Sequence, residues 1–111
     1  MPADRAAAVL GSVSHLPHLV AAGYIAQVAS HGDDRMDYAG SGFRDFTRIA
    51  AGSAEMWRDI LLANRDAVGR ELAGVQAQLA TCARLLAEAD AEGLQTFLED
   101  AAQARRGWQH D

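Results

Sequence analysis

Two short stretches bring together residue types able to do chemistry: "SHLPHLV" at 14–20 and "SGFRDFTRIA" at 41–50. In the first, His15 and His18 lie three apart on one helical face with Pro17 between them. Paired imidazoles suit a metal, but zinc requires a third and fourth ligand. His31 falls in a polar loop and His110 in the tail, at no recognisable ligand spacing, so no metal is expected. Histidines that satisfy a hydrogen bond in a core or interface are the plain alternative. Pro17 costs roughly 3 kcal/mol inside a helix, since it lacks the N–H and crowds the Val13 carbonyl. A local rule broken beside His18 marks the stretch as a functional candidate.

In the second stretch Arg44 and Arg48 lie four apart, a like-charge pair that costs a few tenths of a kcal/mol. Asp45 is placed to relieve Arg48 in part. Such a pair is either a solvated face with a local ion pair or an anion site. Guanidinium forks grip carboxylates in bidentate fashion, each charge-assisted bond contributing roughly 1.5–3 kcal/mol. Other echoes fail. Gly40 and Gly42 form a G-x-G, yet Asp45 stands in place of a third glycine and no strand precedes them. Ser14 near His18 lacks the turn and orienting acid of a nucleophile. Trp57, in "EMWRDILLANR", reads as a core or interface anchor.

The elements that must position these residues read as helices. The chain has 111 residues, half of them hydrophobic, with few aromatics. Alanine and leucine dominate over β-branched residues, which favours an all-α single domain. A first helix is expected from Asp4, as cap, to Ser30, interrupted at Pro17. A polar, glycine-bearing loop follows, then a short helix over 43–51. Ser53 is expected to cap one long helix from Ala54 to about Ala89, and Asp90 a last helix from Ala91 to about Arg105.

In the long helix Val68, Leu72, Val75, Leu79, Cys82 and Leu86 recur with a coiled-coil-like period. A helix of roughly 36 residues would be about 54 Å long, more than one small domain covers. The seam therefore predicts a homodimer. Gly69 and Gly74 within it suggest close approach of another backbone.

Ten arginines, no lysine and fifteen carboxylates leave a net charge of −5. Nucleic acid and anionic membrane surfaces are unexpected partners. A lone cysteine, Cys82, fits a reducing compartment. No signal peptide is evident at the start and no apolar run is expected to span a bilayer, so a cytoplasmic location is the expectation.

Taken in order and spacing, "SHLPHLVA", "GSGFRDFTRIA" and "EMWRDILLANRDAV" resemble the carboxy-terminal domain of prephenate dehydrogenases. The resemblance covers nearly the whole chain, most closely residues 14–68. It implies an intertwined helical dimerisation domain of an enzyme that oxidatively decarboxylates prephenate to 4-hydroxyphenylpyruvate, passing a hydride to NAD or NADP in tyrosine biosynthesis.

Position by position, Arg48 is similar to the family's carboxylate-gripping arginine and His18 to a histidine facing the substrate pocket. Asp45, with Arg44, resembles an ionic network at the pocket rim. Ser14, Pro17 and Trp57 would support these. "AGSAEMW" departs from the family's aspartate-proline, leaving Ser53 as the cap.

The family's nucleotide-binding domain, with its glycine-rich turn and catalytic histidine, has no counterpart in these residues. The expectation is therefore a domain without cofactor or catalytic residue of its own, inert alone. A rival reading is a stand-alone helical dimer that binds an aromatic carboxylate such as tyrosine as a regulator. A chorismate mutase, the second rival, would want a lysine.

Overall fold

The computed structural model describes residues 1–108, and every regular element among them is helical. His110, weighed above as a metal ligand, lies outside the described residues. Contacts divide the chain into two compact units, Met1–Leu72 and a second beginning at Ala73.

The first unit opens with α1 (Ala3–Leu10), a π-helical segment (Gly11–His15) and α2 (Leu16–Ala29). Asp4 is not the cap. Pro2 occupies that place without a side-chain bond, and its carbonyl accepts from the Ala6 N–H at 2.9 Å. Asp4 sits in the first turn, where a carboxylate favours the positive helix end.

The expected interruption at Pro17 takes the form of the π-segment just before it. There the Leu16 N–H bonds to the Gly11 carbonyl, five residues back. Pro17 has no N–H to offer, and widening the preceding turn accommodates its ring without ending the helix.

The helical run Ala3–Ala29 is continuous, with a mean hydropathy of 1.3 over its most apolar window. By length and composition it is able to cross a membrane, contrary to the sequence expectation. The same run contains His15 and His18, and only 17% of the window is buried within this chain.

After a loop holding a 3₁₀ turn (Arg35–Tyr38) come α3 (Ser41–Thr47) and a second 3₁₀ turn (Arg48–Ala51). The short helix expected over 43–51 thus tightens at Arg48. The buried Thr47 donates its hydroxyl to the Phe43 carbonyl at 2.7 Å, a back-bond that competes with the regular ladder. Helix α3 is anchored on α2 by aromatic edges: Tyr24 meets Phe43 at 5.9 Å and Phe46 at 5.6 Å, both edge-to-face.

Ser53 caps α4 (Ala54–Ala63), accepting from the Met56 N–H at 3.2 Å as expected. The expected single long helix is, however, two. Asn64 leaves helical geometry at φ −120°, ψ 36°, and α5 (Arg65–Ala87) starts afresh beyond it. The cause is tertiary. The Asn64 amide donates to the Ala7 carbonyl at 2.9 Å and contacts His15 Nδ1 at 3.2 Å, tying the helix junction to the first helix. Asparagine is a weak helix former, so little propensity opposes the break.

In the second unit α5 ends in a Schellman turn. Asp90 N–H bonds to the Leu85 carbonyl at 3.0 Å and Ala89 N–H to that of Leu86 at 3.1 Å, with Ala89 left-handed at φ 51°. Asp90 then caps α6 (Ala91–Gly107), accepting from the Gly93 N–H at 2.9 Å, as the sequence led one to expect.

Very little of this is buried. Leu16, Ala21, Ala67 and Val68 in the first unit and Leu85 in the second are the buried apolar residues among those described. Of the expected seam, Val68 is buried and Leu72, Val75 and Cys82 are half-buried, while Leu79 and Leu86 are 58% and 67% exposed. Among the described residues, nothing beyond the helix's own turns lies within 4 Å of where a Cβ would stand on Gly69 or Gly74.

Candidate functional site

The first unit holds a cleft of about 160 Å³ between α2, the 3₁₀ turn Arg48–Ala51 and α4. Leu19 and Ala22 line it from α2, Ile49 and Ala50 from the turn, Trp57 and Leu61 from α4. Its volume is close to that of an apolar cavity able to hold one benzene ring, ~150 Å³.

His18 provides the only titratable side chain in that lining. Its ring stacks on Trp57 with centroids 3.4 Å apart and planes 23° from parallel. Nδ1 of His18 is buried and has no hydrogen-bond partner among the described residues. A buried polar atom without a partner costs about 1–3 kcal/mol, so the site is incomplete as it stands.

Each wall has a local cause. The Ser53 cap fixes the start of α4 and hence the direction of Trp57 one turn later. Gly52 lets the indole approach, since a Cβ there would stand 3.2 Å from Trp57 Nε1. On the facing wall, the π-segment sets which side of α2 His18 occupies.

The other expected site residues stand elsewhere. Arg44, Asp45 and Arg48 are exposed on α3 and the turn that follows. The ion pair expected between Asp45 and Arg48 is absent: among the described residues, the ion pairs are Asp33–Arg35, Arg58–Asp59, Arg65–Asp66 and Arg84–Glu88. Arg48 directly precedes the lining residues Ile49 and Ala50 but does not itself line the cleft. Ser14 and Pro17 are half-buried in the first helix. No three His, Cys, Asp or Glu side chains among the described residues are grouped to hold a metal ion.

What the arrangement offers is an aromatic-walled apolar slot with the His18 imidazole in its lining. Sequence reading found His18 and Trp57 but missed the apolar lining of Leu19, Ala22 and Leu61, because alanine and leucine are too common here to signal a site. It also missed Asn64 and His15 as a linked pair. A weak helix former in the first third of a helix too long for one small domain was the available clue.

Comparison with known proteins identifies the family of the fold. The family model for the dimerization domain of prephenate dehydrogenase matches residues 3–100. The chain is 35% identical over 104 residues to a prephenate dehydrogenase of Bacillus subtilis, covering 89% of this chain and 28% of that protein. It is 32% identical to a cyclohexadienyl dehydrogenase of Zymomonas mobilis, covering 95% and 37%.

Among solved structures, prephenate dehydrogenase from Aquifex aeolicus in complex with hydroxyphenyl propionate and NAD+ aligns with a TM-score of 0.79 at 34% identity, covering 96% of this chain and 38% of that one. A Synechocystis arogenate dehydrogenase shares the fold, with a TM-score of 0.85 at 24% identity over 91% of this chain and 38% of the other. The chain thus spans about 28 to 37% of the length of these two curated relatives. It belongs to the prephenate dehydrogenase dimerization-domain family.

Proposed function

We propose that this chain is the dimerisation and substrate-anchoring part of a prephenate dehydrogenase. The supporting observation is the His18–Trp57 stack in the wall of an apolar, ring-sized cleft, with a buried imidazole nitrogen that lacks a partner among the described residues. The substrate's ring would lie against the indole, and His18 would bond a polar group on that ring. Arg48 would swing its unpaired guanidinium toward a carboxylate, with Asp45 and Arg44 setting the charge at the rim. Such groups supply binding energy and orientation to a reaction whose bond changes occur elsewhere.

NAD or NADP, held outside these 111 residues, would accept the hydride as the substrate loses carbon dioxide. The reaction balances as prephenate plus NAD(P)+ giving 4-hydroxyphenylpyruvate, carbon dioxide and NAD(P)H. On this reading the 111-residue chain is inert alone.

A second copy of the chain covers the exposed leucines and the open face at Gly69 and Gly74, and the location is cytoplasmic. A homodimer also accounts for the scarcity of buried apolar residues. The membrane-length helix Ala3–Ala29 is then an interface helix rather than a span.

Calorimetry of the chain with hydroxyphenyl propionate, the compound held by the Aquifex relative, tests the reading. Weak, millimolar binding that is lost in Trp57→Ala is expected of a partial pocket. Sub-millimolar binding to the chain alone would favour the rival role, a regulatory dimer for aromatic carboxylates such as tyrosine. No heat at any concentration would contradict both.

A further inference from the structure

Asn64 reaches the first helix at two points, one before the π-segment and one at its last residue. Its Nδ2 donates to the Ala7 carbonyl at 2.9 Å and lies 3.2 Å from His15 Nδ1. An amide nitrogen only donates, so this contact needs the lone pair of Nδ1 and places the His15 proton on Nε2. Gly11 lies beneath the amide, where a Cβ would be 3.4 Å from Nδ2 and 3.5 Å from Ala67. The two anchor points therefore enclose the turn in which Leu16 bonds to Gly11 rather than one residue later.

A π-turn holds one residue more than an α-turn. Reversion to α geometry would rotate everything beyond it by about 100° about the helix axis. His18, three residues past His15, would leave the face of Trp57. Pro17 disfavours a regular ladder there but does not by itself choose where the extra residue goes.

We propose that Asn64 is a positioning residue: by holding Ala7 and His15 together it fixes the π-turn, and through it the rotation that brings His18 onto Trp57. This rests on the reading of the His18–Trp57 cleft as the ligand site, but its test uses no ligand. A failed test therefore leaves that reading standing.

The test is the NMR ring-current shift of the His18 ring protons in the full chain, read at a single alkaline pH. The indole stacked at 3.4 Å should move the parent's His18 Hδ2 and Hε1 signals upfield, a shift absent in Trp57→Leu. Asn64→Ala and His15→Phe should each reduce the shift at least threefold, with helix content by circular dichroism unchanged. His15→Gln, whose side-chain oxygen accepts the same bond, should restore most of it. A full-size shift in a folded Asn64→Ala would overturn the proposal, reducing Asn64 to a helix break. Should Asn64→Ala fail to fold, His15→Phe against His15→Gln decides: equal shifts in the two overturn it.

Discussion

The imidazole of His18 and the indole of Trp57 lie face to face at 3.4 Å, joined across α2 and α4. They meet because three local devices agree: the Ser53 cap aims α4, Gly52 leaves room for the indole, and the π-turn rotates α2. Neither residue is wholly buried, so the pair forms a wall of the cleft and not part of a core.

Removing the indole should therefore cost less than removing a core tryptophan. Full burial would imply 3–5 kcal/mol, and a half-buried ring implies about 2 kcal/mol for Trp57→Ala. Trp57→Phe should recover at least half by keeping a stacked ring. Urea unfolding followed by circular dichroism measures both.

Much of this was legible in the sequence, for identifiable reasons. Ser53 and Asp90 stand at helix starts where their side chains cap the exposed N–H groups, a local signal that tertiary contacts did not override. His18 and Trp57 were visible as residues out of keeping with their surroundings. The helix break at Asn64 was not, because it depends on partners at Ala7 and His15 far away in the chain. Asp4 failed as a cap for a local reason: Pro2 starts the helix two residues earlier. Arg48 and Asp45, spaced for an ion pair, make none, since exposed pairs gain little and the helix changes pitch between them.

Ala89 holds a left-handed conformation at φ 51° that an L-residue adopts at a cost of roughly 1–2 kcal/mol. Ala89→Gly should raise stability by about 1 kcal/mol, seen as a higher melting temperature with unchanged helix content.

Gly93 gives the opposite result. A Cβ there would stand 2.6 Å from both Asp90 Oδ2 and Leu85 Cδ2, striking the α6 cap and a buried leucine at once. Gly93→Ala should destabilise by about 1–3 kcal/mol despite alanine's better helix propensity. Gly107→Ala, whose Cβ would meet nothing within 4 Å among the described residues, serves as the control without a clash.

In the loop, hydrogen bonds from the Arg35 side chain and backbone hold the Asp33 carboxyl below its ordinary value of 3.8. A depressed carboxyl pKa means that its contribution to stability is present above that ordinary value and fades as pH falls through the lowered one. An NMR titration should place the Asp33 midpoint below 3.8, and Arg35→Ala, which keeps the backbone N–H, should bring it part of the way back.

If a second copy covers α5, charge on its exposed apolar residues should separate the two. Leu79→Glu combined with Leu86→Glu is expected to convert a dimer to monomer at micromolar concentration in sedimentation velocity. An unchanged sedimentation coefficient would argue against this face as the interface.

In the proposed role, the slot beside Trp57 and the guanidinium of Arg48 hold one acidic guest between them. The most direct measurement is the Michaelis constant for prephenate of Arg48→Ala, in an enzyme joining these residues to a nucleotide-binding domain. Loss of charge-assisted bonds predicts a rise of about 10–100-fold with a much smaller change in kcat. A Michaelis constant equal to that of the parent enzyme would contradict the proposed anchoring role.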